Sequence, residues 1–223
     1  MIIKVCGMRD AENIRAVENL GADIIGLVFY PDSPRYVSMV SSGAGILPDF
    51  SNFSAEAAHT RKANRLGVFL NDMPQNIVTR VYNYGLDFVQ LHGEESPVMI
   101  ENLRRTLDPD IRPGIQIIKS LCVSTADDLE KTKPYEGVAD MFQFNMSPEV
   151  TDWSMLDAYE GATPFLLSGI GPEDVTRVRA FHHPCFVGLN LNARFETEPG
   201  IMDVERLKTF IHALSDDAGA AGS

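Results

Sequence analysis

The chain predicts a single-domain α/β fold, a (β/α)₈ TIM barrel. Three observations carry this: eight short apolar runs, amphipathic stretches of helical period between most of them, and a length of 223 residues that suits one barrel core. A doubly wound open sheet is the alternative, because strand count alone does not establish closure. The barrel is expected to span 1–214. Residues 215–223, rich in Ala, Gly, Ser and Asp, read as a disordered tail.

The apolar runs are Ile2–Gly7, Ile24–Phe29, Leu66–Leu70, Phe88–Gly93, Ile115–Leu121, Met141–Asn145, Phe165–Gly169 and Phe186–Leu191. They are rich in Ile, Val, Leu and Phe without strict alternation, as strands covered on both faces are. Helical period marks Asp10–Leu20, Pro74–Tyr84, Pro97–Leu107, Thr125–Lys131, Asp152–Tyr159, Pro172–Phe181 and Asp203–Leu214. Several of these open on an acidic residue or Pro, which suits a helix N-terminus. Ser38–Ala63 is interrupted by Gly43, Pro48 and several Ser, and predicts a short or irregular helix.

Hydrophobic residues make up 44% and charged residues 22%, the balance of an ordinary globular domain. No apolar run is long enough to span a bilayer. Met1–Met8 carries Lys4 and is followed by Arg9, Asp10 and Glu12, unlike a secretory leader. The three cysteines, Cys6, Cys122 and Cys185, are odd in number and scattered, which argues against a disulfide framework or a CxxC metal site and for a reducing, cytoplasmic setting. A net charge of -12 disfavours nucleic acid as a partner. A small anion could still bind, if met by a well-placed Arg or a helix N-terminus. A monomer is assumed.

In such a barrel the residues that close each strand face the ligand. Cys6 closes the first run; alone it would read as a small buried hydrophobe. The Pro-braced loop Phe29–Ser38 presents Arg35, whose fork suits a carboxylate, or which is a solvated surface Arg. Gln90 and His92 share one strand face, and with Leu91 turned to the helices both would face the interior. Lys119 invites a Schiff-base aldolase reading, although a strand-end Lys is more often a charge anchor. Lys4 shares a face with Cys6 and would need a carboxylate or carbonyl partner when buried. His182-His183 suits a helix end better than a metal, and Met141 and Met146 suit packing.

Lys4-Val5-Cys6-Gly7-Met8, the Phe29–Ser38 loop, Gly67-Val68-Phe69-Leu70-Asn71 and Val89–Glu95 together resemble the phosphoribosylanthranilate isomerase family of tryptophan biosynthesis. Asp152-Trp153 and Gly171-Pro172-Glu173-Asp174-Val175 fit as well, so the resemblance runs from Ile2 to Phe210. It implies an Amadori rearrangement of N-(5-phosphoribosyl)anthranilate, with no metal or organic cofactor and a small anionic phosphosugar as ligand. It makes Cys6 the general base, a role for a thiolate supported by nearby dipoles or cations. It places Arg35 on the anthranilate carboxylate and Gln90 and His92 along the same pocket.

The sequence departs from the family at the acid. The family's aspartate at the end of the sixth strand is Asn145 here, a near-isostere that cannot deliver a proton, where general acid catalysis is worth roughly 10² to 10⁴ in rate. The Gly-rich loop after that strand is reduced to Met146–Asp152, and Ser168-Gly169 is one glycine short. The last strand reads Leu189-Asn190-Leu191-Asn192-Ala193-Arg194. The implied phosphate site is then Gly169, Gly171, Asn192 and Ala193. Arg194 either adds charge there or pairs with Glu196 or Glu198. Two readings stay open: an isomerase whose acid is Asp152 or a water on Asn145, with activity impaired, or a silent phosphosugar- or carboxylate-binding barrel. A sugar-phosphate aldolase or epimerase ranks third.

Overall fold

The computed structural model describes residues 1–42, 45–48, 62–147, 149–150 and 152–215, with backbone alone for 39–42 and 45–48. Eight strands form the wall: β1 (Ile2–Cys6), β2 (Ile24–Val28), β3 (Asn64–Phe69), β4 (Phe88–Leu91), β5 (Gln116–Val123), β6 (Met141–Met146), β7 (Phe165–Ser168) and β8 (Phe186–Leu191). All pair in parallel, each with its sequence neighbour, and β1 bonds β8 to close the barrel. Closure decides against the open sheet.

Local chemistry starts the helices where the sequence placed them. Asp10 caps α1 (Ala11–Asn19), its side chain accepting from the Asn13 N–H at 2.7 Å. Pro74 opens α2 (Pro74–Tyr84), which ends on Gly85 in the left-handed conformation at φ 57°. Ser96 caps α3 (Pro97–Leu107). The other α-helices among the described residues are α4 (Val175–Ala180) and α5 (Val204–Ser215).

Three expected helices wind differently. Ala126–Tyr135 and Ser154–Ala158 are 3₁₀ turns, and Pro172–Asp174 is a 3₁₀ turn leading into α4. The Asp128 carboxylate accepts from the Ser124 and Thr125 N–H groups at 2.9 and 3.0 Å, pinning the first of these. Pro134 withholds the donor that an α ladder would need. In the Ser38–Ala63 stretch, Met39–Ser42 pairs antiparallel with Gly45–Pro48. The rest of the stretch for which a short or irregular helix was expected, 43–44 and 49–61, lies outside the described residues, as does the expected tail from 216 on, while Ser215, counted with that tail, ends the last helix.

Strand alternation sorts side chains into two cores. Outward residues such as Val5, Leu27, Leu91, Phe144 and Leu167 pack with Ile14, Ile77, Ile100 and Leu207 of the helices. Inward residues form a separate cluster of Cys6, Ile24, Val28, Leu66, Val68, Phe88, Ile118, Met141 and Leu166. The same inward faces also carry Lys4, Gln90, Ser120, Gln143, Ser168 and Asn190, all buried. Strand β5 runs two residues past the predicted Leu121, so Lys119 is mid-strand and Cys122 lies at its exposed end.

Cys6 has room only because its partner across β1 and β2 is Gly26. A Cβ on Gly26 would lie 2.5 Å from the Cys6 Sγ. Gly26→Ala should therefore cost about 1–3 kcal/mol by overpacking. Adding Cys6→Ala should recover most of that loss, as read by urea denaturation of the two single variants and the double.

Candidate active site

The interior polar groups form one directed chain. Lys4 is fully buried, and its Nζ donates to the Gln143 Oε1 at 2.6 Å and to the Gln90 Oε1. An ammonium group has donors and no acceptor, so both glutamines must turn their oxygens to it and their NH₂ groups away. Gln90 Nε2 then donates to Ser120 Oγ at 2.7 Å, and Gln143 Nε2 to Asn145 Oδ1 at 2.7 Å. With its oxygen taken, Asn145 can offer only its Nδ2 onward. That nitrogen is buried without a hydrogen-bond partner among the described residues.

Across β7 and β8, Asn145 is register partner of Ser168, and Ser168 of Asn190. The Asn190 Nδ2 donates to Ser168 Oγ at 2.9 Å, leaving the Asn190 Oδ1 buried and unpartnered among the described residues. His92, half-buried after β4, likewise has an unpartnered buried Nδ1. Burial first, then the charge of Lys4, lowers the His92 pKa, which keeps the ring neutral at pH 7. A donor at Asn145, an acceptor at Asn190 and an imidazole at His92 thus stand unsatisfied at one end of the barrel. Buried polar atoms are rarely left so except where a ligand or water completes them.

Cys6 closes β1 at the same end of the barrel, 8% exposed. A charge on its thiol would be felt by both Lys4 and Arg35. The next residue, Gly7, adopts φ 95°, and a Cβ there would sit 2.5 Å from Arg35 Cδ. The Arg35 stem therefore passes directly over the turn that follows the thiol. Its guanidinium is held bidentately by Glu196, with Nε donating to Oε1 at 2.6 Å and Nη2 to Oε2 at 2.5 Å. That pairing raises the Arg35 pKa.

Several sequence expectations change. Gln90 is 2% exposed with both amide atoms engaged inside the barrel, so it stands beneath the mouth rather than lining it. The Gly171 N–H, expected to be open to phosphate, is taken by the buried Asp174 carboxylate at 2.7 Å. Gly169, at φ 88°, turns the chain where a Cβ would strike the Met146 carbonyl at 2.8 Å. Asn192 precedes a 3₁₀ turn over Ala193–Phe195 at the neighbouring end of β8. Arg194 pairs with neither Glu196 nor Glu198 but with Glu173, and lies 3.7 Å from Asp174. Lys119 faces outward, 2.5 Å from the Gly93 carbonyl and 2.9 Å from Glu95 Oε2, which removes the aldolase reading. Asp152 is exposed and its carboxylate accepts from Ser154 N and Oγ; these bonds lower its pKa, the wrong direction for a general acid at pH 7. His183 Nδ1 accepts from the Cys185 N–H.

Sequence reasoning missed two residues. Gln143 lies two positions before Asn145, the same spacing that singled out Gln90 and His92. Glu196 meets Arg35 across 161 positions, with no local signal.

Comparison with known proteins places this arrangement among relatives. Residues 3–213 match the family described as N-(5'phosphoribosyl)anthranilate (PRA) isomerase. The N-(5'-phosphoribosyl)anthranilate isomerase of Parabacteroides distasonis is 38% identical over 230 residues, covering 100% of this chain and 97% of that protein. The enzyme of the same name from Phocaeicola vulgatus is 38% identical over 222 residues, covering 96% and 98%. Phosphoribosyl anthranilate isomerase from Thermotoga maritima superposes with a TM-score of 0.70 at 27% identity, covering 97% and 100%. A phosphoribosyl anthranilate isomerase solved with reduced 1-(o-carboxyphenylamino)-1-deoxyribulose 5-phosphate gives 0.72 at 26% identity, with coverage of 97% and 100%.

The buried ammonium has a measurable cost. Desolvation lowers the Lys4 pKa to about 8, from 10.5. The unfolded chain then binds that proton more tightly than the folded one. The penalty is fully present below pH 8 and is relieved as pH rises from 8 towards 10.5. Relative to Lys4→Met, the parent should gain on the order of 2–3 kcal/mol over that interval. Urea midpoints of both proteins at pH 7.5, 8.5 and 9.5 check this; parallel pH profiles would refute it.

Proposed function

The chain belongs to the N-(5'-phosphoribosyl)anthranilate isomerase family, and from that premise we propose how its barrel mouth conducts the family's Amadori rearrangement. The reaction converts N-(5-phosphoribosyl)anthranilate to 1-(2-carboxyphenylamino)-1-deoxyribulose 5-phosphate, an aldose–ketose isomerisation in tryptophan biosynthesis. What supports the assignment of roles is that the Cys6 thiol and the unpartnered Asn145 Nδ2 stand at the same end of the parallel barrel, on β1 and β6, and that Arg35 passes over the turn after Cys6.

Arg35 takes the anthranilate carboxylate through the N–H groups that Glu196 leaves open, and His92 meets the substrate as a neutral imidazole. The backbone at Gly169, Asn192 and Ala193 receives the phosphate, with Gly171 closing the turn beside it through Asp174. Asn145 Nδ2–H donates to the furanose ring oxygen. It polarises the C1–O bond but keeps its proton, so ring opening draws a proton from water. The resulting iminium accepts the C2–H electron pair as the Cys6 thiolate removes the C2 proton, giving an enolamine. Loss of the C2 hydroxyl proton and protonation at C1 complete the ketone; nothing is oxidised or reduced overall. The ligand is a small phosphosugar, and no described helix is long and apolar enough to cross a membrane. Three free thiols suit a cytoplasmic enzyme, residues 1–214 acting as one monomeric catalytic unit.

One observation favours a second reading, a barrel that binds phosphosugars and does little chemistry. With its oxygen taken by Gln143, the Asn145 carboxamide presents a donor at the acid position but no transferable proton.

An isomerase assay of the parent, Cys6→Ala and Asn145→Asp separates the two. With a carboxyl at 145, Gln143 still donates to one oxygen and the other is free to carry the proton. The parent is expected to turn over well below the usual range of about 1–10³ s⁻¹. Asn145→Asp should raise kcat roughly 10²-fold, and Cys6→Ala should abolish turnover. A parent already in the usual range would overturn the role given to Asn145. Binding without turnover in both parent and Asn145→Asp would establish the silent barrel.

A further inference from the structure

We infer that Glu196 is a positioning residue that sets specificity for the carboxylate of the substrate, by fixing which edge of the Arg35 guanidinium reaches the mouth. This rests on the reading that Arg35 receives the anthranilate carboxylate. A guanidinium has five N–H donors and two edges that can each grip a carboxylate. Glu196 holds the Nε and Nη2 edge, using one hydrogen of each nitrogen. Three N–H groups remain, two on Nη1 and one on Nη2, and one from each of these nitrogens points out along the outer edge of the fork. A second carboxylate can be gripped there without releasing the first.

The support is rigid and the held group is not sealed off. The Glu196 side chain is 4% exposed, whereas that of Arg35 is 23% exposed. Glu196 Oε1 also accepts from the Gly200 N–H at 3.1 Å, which fixes the carboxylate independently of Arg35. Its strand, Glu196–Glu198, pairs with Ile201–Met202, and Met202 exchanges two hydrogen bonds with the Asn13 side chain of α1, at 2.9 and 2.8 Å. Below, Gly7 lets the Arg35 stem lie against the turn after Cys6. The guanidinium is thereby clamped from one side and below, and its free end is aimed by the clamp. An Arg released from Glu196 would keep its charge but lose its direction.

The test compares two ligands by calorimetry on the parent and on Glu196→Gln, a change of nearly equal shape. One ligand is reduced 1-(o-carboxyphenylamino)-1-deoxyribulose 5-phosphate; the other is the same compound without the ring carboxylate. The parent should bind the carboxylated compound at least 10-fold more tightly. In Glu196→Gln that ratio of Kd values should fall at least five-fold, while the Kd of the carboxyl-free compound stays within two-fold of the parent. Glu196→Asp, which keeps the charge and shortens the reach, should fall between, and carries the comparison if the Gln variant does not fold. A variant ratio equal to the parent's, or a joint weakening of both ligands, would overturn the inference and make Glu196 structural. A ratio that rises would make Glu196 a competitor for Arg35, which also overturns it. A parent that binds neither ligand, or binds both equally, would remove the function proposed for Arg35 and the inference with it.

Discussion

Lys4 carries its charge into the barrel, where it is met by two carboxamide oxygens. Because an ammonium group only donates, its position dictates the orientation of every amide bonded to it. The direction is passed through Gln90 to Ser120 on one side and through Gln143 to Asn145 on the other. A neutral residue in place of Lys4 would leave each amide free to present either end. The mouth therefore inherits its polarity from a residue that never touches it. The same charge lowers the His92 pKa, behind the larger effect of burial, so one buried cation influences both a hydrogen-bond donor and an imidazole.

The other half of the site is arranged by space rather than charge. Gly26 leaves the volume that the Cys6 thiol occupies, and Gly7 leaves the surface along which Arg35 runs. Neither glycine would touch a ligand, yet each fixes where a reactive group stands. At the far side, Gly169 serves in the same way by letting the chain turn against the Met146 carbonyl. Opposed carboxylates complete the frame: Glu196 on Arg35, and Asp174 on the Gly171 N–H and Arg177. Together these contacts fix the thiol after which Arg35 passes, the free edge of that guanidinium and the chain turn after β7, while Asn145 and the shortened segments after β6, β7 and β8 carry the departures from the family.

The eight strands were legible because each is buried on both faces and so reads as an apolar run. Segments such as Thr125–Lys131 misled because their helical period is real but too short, and Pro134 and Asp128 turn it into 3₁₀ structure. Within the site, the step of two along a strand correctly put Gln90 and His92 on one inward face. It could not tell that Gln90 is consumed by Lys4, since that requires knowing which strands face each other across the barrel. Gln143 sits in an otherwise apolar run, which hides its polar role. The Arg35–Glu196 pair and the Asp174 contact to Gly171 depend on loop conformations at the barrel rim, which no periodicity encodes. Lys119 lies mid-strand because β5 continues through Ser120 to Val123, and alternation with the inward Ile118 and Ser120 sets it outward.

Neutron diffraction from crystals of the deuterated protein would locate the amide deuterons of Asn145 directly. Orientation by Lys4 predicts that Oδ1 faces Gln143 and that both deuterons sit on the nitrogen directed to the mouth. An Asn145 oxygen at the mouth, with its deuterons towards Gln143, would contradict it.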